Sequence, residues 1–269
     1  MSTAQQPSGQ PHLGSSGADG IWPPRLGRIV FGALLAGGIG WVILKSVYPI
    51  FEVPPEMAIL PNPPPTEKII ELEKVQYAID GQNFSIVFGL TGAVLGAYCA
   101  VFAFVAKGLR PLLIAAIAAG ALGVVGANLS NEIFTRIRLT SGSDRVLLGI
   151  TFDAMKQAIL GYASLWGLIG LGVGVGVGSF RGGAEMVTSG IAGLAGGFVT
   201  AMLYVLGVGQ LSPNESMSHV FPLGSSSQVI WFLVFCMGIA AAIALGSGEN
   251  AKRQDSMQTD SRDQEPLLY

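Results

Sequence analysis

Long apolar stretches with few charged residues recur along the chain, and they alternate with shorter polar segments. Six of these stretches are about 20 residues long, which is the length that a helix needs to cross the hydrocarbon core of a bilayer. A transmembrane barrel would instead need segments of about ten residues with alternating polarity. The six predicted spans are residues 26–48, 84–106, 111–129, 158–178, 186–209 and 227–246.

This pattern predicts an all-α fold, a polytopic transmembrane helix bundle that occupies residues 25–246. The composition agrees, because half of the residues are hydrophobic and only 12% are charged, about half the charged share of a soluble domain. Residues 1–24 are rich in Ser, Gly, Pro and Gln, and residues 247–269 are polar. We expect both end segments to be disordered and cytoplasmic.

Basic residues near the ends of the spans indicate the orientation of the bundle. Arg28, Lys107, Arg181 and Lys252 all fall on one side of a six-span chain, and this side is therefore predicted to be cytoplasmic. The chain is expected to have both termini inside. The Gly-rich hairpins resemble those of Gly-rich bacterial membrane proteins, which points to a bacterial inner membrane. The last residues, DQEPLLY, resemble an acidic dileucine sorting signal, so a eukaryotic membrane is the alternative.

Glycine stands at every second position from Gly170 to Gly178 in the stretch WGLIGLGVGVGVG. A lone strand cannot cross a bilayer, because its backbone groups would lack partners in hydrocarbon. In a helix, Gly170, Gly174 and Gly178 lie along one face, and Gly172 and Gly176 lie on the opposite face. Small residues four positions apart let helix backbones approach closely. The fourth span is therefore predicted to be central and to pack against neighbours on two sides.

Similar spacings occur in other spans. The further helix-packing positions are Gly92 and Gly96 in the second span, Gly123 in the third, and Gly193 and Gly197 in the fifth. This glycine zipper pattern favours tight helix packing, although Gly and Ala are also generally common in membrane helices.

Two hairpins share an aromatic-Gly-Leu-x-Gly motif, at Phe88–Gly92 and at Trp166–Gly170, 78 positions apart. In each hairpin a basic turn follows, and then a span with glycine at every third position. These glycines begin at Gly120 and at Gly190, an offset of 70. The arrangement suggests parallel two-helix units that arose by internal duplication, with the sixth span as a half unit.

Two longer segments, residues 49–83 and 130–157, are predicted to lie outside. The first is proline-rich, which favours extended chain, and then has an apolar stripe over 66–79 typical of a short helix. This helix is expected to form a lid over the spans, and a partner-binding or membrane-surface helix is the alternative. In the second segment, Arg136, Arg138 and Arg145 are expected to pair with acids of the neighbouring loop, or else to bind an anionic group.

No catalytic, cofactor-binding or metal-binding motif is found in the sequence. No Asp, Glu, Lys, Arg or His lies well inside a predicted span, which argues against ion or proton coupling. The two histidines have no partner at a metal-ligand spacing. A polar passage through the bundle would have to use mild side chains, of which Thr91, Ser164, Ser189 and Thr200 are the candidates.

We therefore expect a non-enzymatic integral membrane protein with a structural or assembly role. It would be a complex subunit that associates through its glycine faces with a membrane-protein partner or as a homo-oligomer. The alternative is a channel or uncoupled transporter for a small neutral solute. The expected surroundings are the lipid bilayer, and the small net charge of −2 gives no reason to expect nucleic acid.

Overall fold

The computed structural model describes residues 24–58, 65–103, 109–140, 152–211, 220–222 and 224–263. These residues form helices and connecting segments without strands. The helices are α1 (Pro24–Val47), α2 (Pro55–Ala58), α3 (Thr66–Ala103), α4 (Leu109–Thr140), α5 (Phe152–Gly178), α6 (Gly183–Leu211) and α7 (Ser225–Asp263). All but α2 are long and apolar enough to cross a membrane, so the predicted six-span helical fold is confirmed.

Helix α3 is much longer than the predicted second span, because the expected short helix at 66–79 continues into it without a break. At 38 residues, α3 is about 57 Å long, whereas a hydrocarbon core is about 30 Å thick. The prediction of a separate lid is therefore wrong. The apolar residues Ile69, Leu72 and Val75 lie half-buried along this extension.

Helix α4 also exceeds its predicted span, since residues 130–140 continue it where we expected an outside loop. At the chain's other end, α7 continues through residues 247–263, which we expected to be disordered. In the proline-rich segment, where extended chain was predicted, residues 55–58 form one helical turn. Residues 1–23, 141–151 and 264–269 lie outside the described residues, as do both histidines.

The helices alternate in direction. The end at which α3 leads to α4 and α5 leads to α6 is called the short-turn end, and the end at which α1 leads to α3, α4 to α5 and α6 to α7 is called the long-loop end. Around the bundle, neighbours follow the order α1, α3, α4, α5, α6, α7 and back to α1. Helix α5 also reaches inward to α3 and α7, and it is the most buried span. This agrees with the central position that its two glycine faces predict.

The outer surface of the spans is apolar. Helices α4 and α6 expose large side chains along their outward faces, including Ile117 and Val125 on α4 and Ile191 and Leu203 on α6. A soluble protein of this size rarely exposes such continuous apolar faces. Lipid tails would cover this surface without cost, which supports a bundle embedded in a bilayer.

Candidate functional site

Three glycines of α5 lie directly against the backbone of α6. A Cβ atom built on Gly170 would overlap the Gly193 carbonyl oxygen, and one on Gly174 would overlap the Ser189 carbonyl oxygen. One on Gly178 would lie 2.6 Å from the Met186 Cα. Real Cβ atoms do not come this close to backbone, so only glycine allows the two helices to approach to this distance.

The other two glycines of α5 face α4 in the same way. A Cβ on Gly172 would lie 2.6 Å from the Cα of Ala119, and one on Gly176 would meet the Cα of Ala115. Alternating glycines thus place two neighbouring helices against two faces of α5. Val173 and Val177, between the glycines, point into the core of the bundle.

The remaining predicted glycines join helices within the hairpins. Gly92 and Gly96 meet the carbonyl oxygens of Ala119 and Ala115, across the contact between α3 and α4. The glycines at 123, 193 and 197 each lie against the backbone of the partner helix in the same hairpin. Each of the ten glycines therefore contacts another helix of this chain. Since these faces are occupied internally, association with a partner must use another surface.

The two hairpins repeat one pattern of backbone contacts. A Cβ on Gly123 would lie 2.5 Å from the Phe88 carbonyl oxygen, and one on Gly197 would lie at the same distance from the Trp166 carbonyl oxygen. The second helices of the hairpins are thus equivalent at an offset of 74, one helical turn more than the 70 predicted from the glycine spacing. Our register for the repeat was wrong because the glycines at every third position face several different helices.

Helix α7 packs against α6 in the same register in which α5 packs against α4. Gly172 lies against Ala118, and Gly246 lies against Ala192, so both members of the pair are displaced by 74 positions. The contact between Gly126 and Ser164 likewise corresponds to the contact between Thr200 and Gly238, again with both residues 74 positions further along the chain. These contacts support the description of the sixth span as a half unit.

Aromatic rings fill the centre of the bundle. Phe88 of α3 and Trp166 of α5 are fully buried and meet edge-to-face at 6.1 Å between ring centroids. Trp166 also stacks on Phe235 of α7 at 5.0 Å and contacts Trp231 at 5.1 Å. Such rings bury large areas and interlock in specific geometries. The centre is therefore closed by side chains from three helices.

The four candidate residues for a polar passage lie apart. Thr91 faces α1 at Gly40, Ser189 faces α5 at Gly174, and Thr200 faces α7 at Gly238. Ser164 donates a hydrogen bond to the Gly161 carbonyl oxygen of its own helix. Each residue lies at a different contact between helices. The structure does not bring these side chains together into a path.

Asn83 holds the chain that follows α1 at the long-loop end. Its Oδ1 accepts hydrogen bonds from the backbone N–H groups of Ile50 and Phe51, at 3.1 and 2.9 Å. Its Nδ2 donates to the Phe51 carbonyl oxygen at 2.9 Å. Asn83 is 1% exposed, so these three bonds are shielded from water. The nearby Asp80 is also buried and accepts a hydrogen bond from Gln76.

A pocket of about 600 Å³, lined by both polar and apolar residues, opens near Asn83, between α3 and α4. The lining residues with side chains that can form hydrogen bonds are Tyr77, Gln82 and Ser85 of α3 and Asn128 and Asn131 of α4, and Gly81 forms part of its wall. The Asn128 amide donates to the Ser85 hydroxyl and to the Val124 carbonyl oxygen, both at 2.8 Å. These two bonds use both amide hydrogens of Asn128. Its Oδ1 atom can still accept hydrogen bonds.

Asn131 is 1% exposed and lines the same pocket. Its Nδ2 donates to the Tyr77 carbonyl oxygen at 3.1 Å, which fixes the orientation of the amide because a carbonyl only accepts. Its Oδ1 has no hydrogen-bond partner among the described residues. A buried acceptor without a partner costs about 1–3 kcal/mol, which makes this residue the most distinctive chemical feature of the pocket.

Sequence reasoning missed this pocket because it treated residues 81–83 and 130–131 as loops. Had α3 and α4 been extended outward, Gly81 and Ser85, four positions apart, would have fallen on one helix face. Asn128 and Asn131, three positions apart, would have done so as well. The helical spacing of these residues was therefore visible in the sequence. It was missed because the span ends chosen from hydropathy placed one residue of each pair in a span and the other in a loop.

The remaining candidates supply no second site. Arg136 pairs with Glu132 of its own helix, and the Arg138 side chain and Arg145 lie outside the described part. No group of three or more His, Cys, Asp or Glu residues that could hold a metal ion occurs among the residues that the structure describes. Comparison of the chain with protein-family models, with curated proteins and with solved structures finds no match. The six apolar helices identify the chain as a multi-pass integral membrane protein.

Proposed function

We propose that this chain is a non-enzymatic structural or assembly subunit of a membrane complex, in which it binds another membrane protein or a second copy of itself. The observation that carries this proposal is the closed aromatic centre formed around Phe88, Trp166 and Trp231. A core filled in this way favours a rigid bundle over a solute passage. A rigid bundle suits a role as a fixed support.

The glycine contacts refine this proposal. Because the glycine faces of α5 are occupied by α4 and α6, a partner would bind to the lipid-facing sides or to the helix extensions at the long-loop end. The first twelve residues of α3, 66–77, carry charges and a half-buried apolar stripe. They extend the helix past its most apolar stretch, so they are accessible to a partner outside the bilayer.

The proposal is tested by extracting the protein in a mild detergent and measuring the mass of the native particle. We expect a particle that contains a stoichiometric partner or a second copy, and its mass should persist on dilution. The same preparation in liposomes should release glycerol and urea no faster than protein-free liposomes do. A monomer that conducts either solute would contradict the subunit role and support the channel alternative.

We also propose that both termini face the cytoplasm of a bacterium and that the protein resides in the inner membrane. The support is the cluster of basic residues at the short-turn end, including Arg110 and Arg181. The test introduces single cysteines at Arg181 and at Phe51 and treats intact cells with a membrane-impermeant maleimide. We expect labelling only at Phe51, and labelling at position 181 alone would reverse the orientation.

A further inference from the structure

We propose that the pocket between α3 and α4 binds the neutral, hydroxyl-rich headgroup of a membrane lipid, such as a sugar attached to diacylglycerol. This inference goes beyond the subunit role and does not depend on it. It starts from the polar atoms that line the pocket. Asn131 has a buried oxygen without a described partner. Asn128 donates both of its amide hydrogens to groups within the chain.

These atoms accept hydrogen bonds, so the ligand must donate them. Among the described residues, no Asp, Glu, Lys, Arg or His lines the pocket. A phosphate diester offers only acceptors, and a quaternary ammonium group offers no donor, so neither supplies a hydrogen for the amide oxygens of Asn128 and Asn131. Sugar hydroxyls both donate and accept, and they could bond to Asn128 and Asn131 together with the exposed amide of Gln82.

The second hairpin shows that helix packing alone does not require these polar residues. At the offsets of 78 and 74, Gly81, Gln82 and Ser85 correspond to Ile159, Leu160 and Ala163, and Asn128 and Asn131 correspond to Met202 and Val205. The second hairpin makes the same backbone contacts with apolar residues at all five positions. In the first hairpin, Asn128 and Asn131 do join the two helices through hydrogen bonds to Ser85 and Tyr77, but these bonds use the amide nitrogens and leave the Asn131 oxygen without a described partner.

The position of the pocket favours a lipid over a dissolved sugar. Ile86 forms part of its wall, and Leu90 follows one helical turn further toward the middle of α3. Val124 and Val125 lie at the corresponding level on α4, and all four side chains are 36–48% exposed. A lipid with its headgroup in the pocket would thus have its acyl chains against an apolar protein surface, which is as apolar as the tails themselves.

The test measures lipid binding by native mass spectrometry of the full-length protein, released from nanodiscs of dioleoylphosphatidylcholine that contain monoglucosyldiacylglycerol. Phosphatidylcholine is the matched reference because its headgroup has no hydrogen-bond donor. We expect the glucolipid to be enriched on the protein, and Asn128→Leu to weaken its binding about five- to tenfold, as loss of one neutral hydrogen bond would. Leu129→Met, beside Asn128 but outside the pocket lining, should bind like the natural sequence.

A second variant and a second ligand complete the test. Gln82→Leu alters an exposed side chain and should also weaken binding, so the proposal stays testable if Asn128→Leu fails to fold. Methyl glucoside, which has the sugar without the acyl chains, should compete only weakly. Equal binding of glucolipid and phosphatidylcholine, unchanged binding in both folded variants, or full competition by methyl glucoside would each overturn the proposal.

Discussion

Replacing Gly174 by alanine tests whether the bundle depends on backbone contact between α5 and α6. The added Cβ would overlap the Ser189 carbonyl oxygen and would lie 2.5 Å from its carbon and 2.9 Å from the Gly190 Cα. Favourable contacts between such atoms lie at about 3.5–4.0 Å. The neighbours are backbone atoms and cannot rotate away, so α6 has to move by about 1 Å.

The size of the effect follows from two opposing terms. A gap of about 1 Å removes up to half of each dispersion contact along the helix pair, and overpacking of this kind costs about 1–3 kcal/mol. Alanine favours the helical backbone over glycine by up to about 1 kcal/mol. With the full helical gain subtracted, the expected net loss of stability is about 0–2 kcal/mol, which corresponds to a melting temperature lower by up to roughly 8 °C. Relative to an alanine variant that gains the same helical preference without the overlap, the loss is about 1–3 kcal/mol.

The matched control is Gly38→Ala, because a Cβ on Gly38 of α1 has no atom within 4 Å. Both substitutions add one methyl group to a helix within the membrane, and only the first meets a neighbouring backbone. The measurement is the temperature at which the detergent-solubilised protein loses its monodisperse size-exclusion peak. If Gly174→Ala melted at or above the temperature of Gly38→Ala, the close approach of α5 and α6 would not stabilise the fold.

Three further outcomes are expected. Combining Gly172→Ala with Gly174→Ala should lower the melting temperature more than either single substitution, because the two glycines contact different helices; a double variant no worse than either single one would contradict this. Trp166→Ala should cost about 3–5 kcal/mol by opening a cavity among buried rings, and an unchanged melting temperature would show that the centre is not packed as described. Asn83→Ala should speed amide hydrogen exchange at Phe51, whose N–H it binds, while exchange in α5 stays the same; equal exchange at Phe51 would rule out the role of Asn83 as its anchor.

The architecture could be predicted from the sequence because bilayer thickness and backbone hydrogen bonding leave few choices. A run of apolar residues about 20 long must be a helix. The spacing of Gly170 to Gly178 then indicates two contact faces, and in the structure these faces meet α6 and α4. Hydropathy could not give the helix ends, because a helix continues into water as long as its residues permit. The extensions over 66–79 and 130–140 were missed for that reason.

The partner of each glycine could not be predicted, because small residues are compatible with any close neighbour. Gly126 faces α5, whereas Gly123, three positions earlier, faces the Phe88 carbonyl oxygen of α3. A spacing of three therefore turns the helix from one neighbour to another, and this led to the wrong offset of 70. Only the backbone contacts show that Gly123 corresponds to Gly197.

Comparison of the two hairpins distinguishes the positions at which helix packing requires a small residue from the positions at which the residue type can vary. Where both hairpins bring backbones together, both carry small residues, as at Gly92 and Gly170, since any larger side chain would force the helices apart. At buried positions near the long-loop end, the hairpins differ in polarity, as Asn131 and Val205 show. The apolar residues of the second hairpin satisfy the fold without leaving a polar atom unpaired. Retaining a buried amide in the first hairpin therefore costs stability, and this cost is explained if a ligand supplies the missing donor.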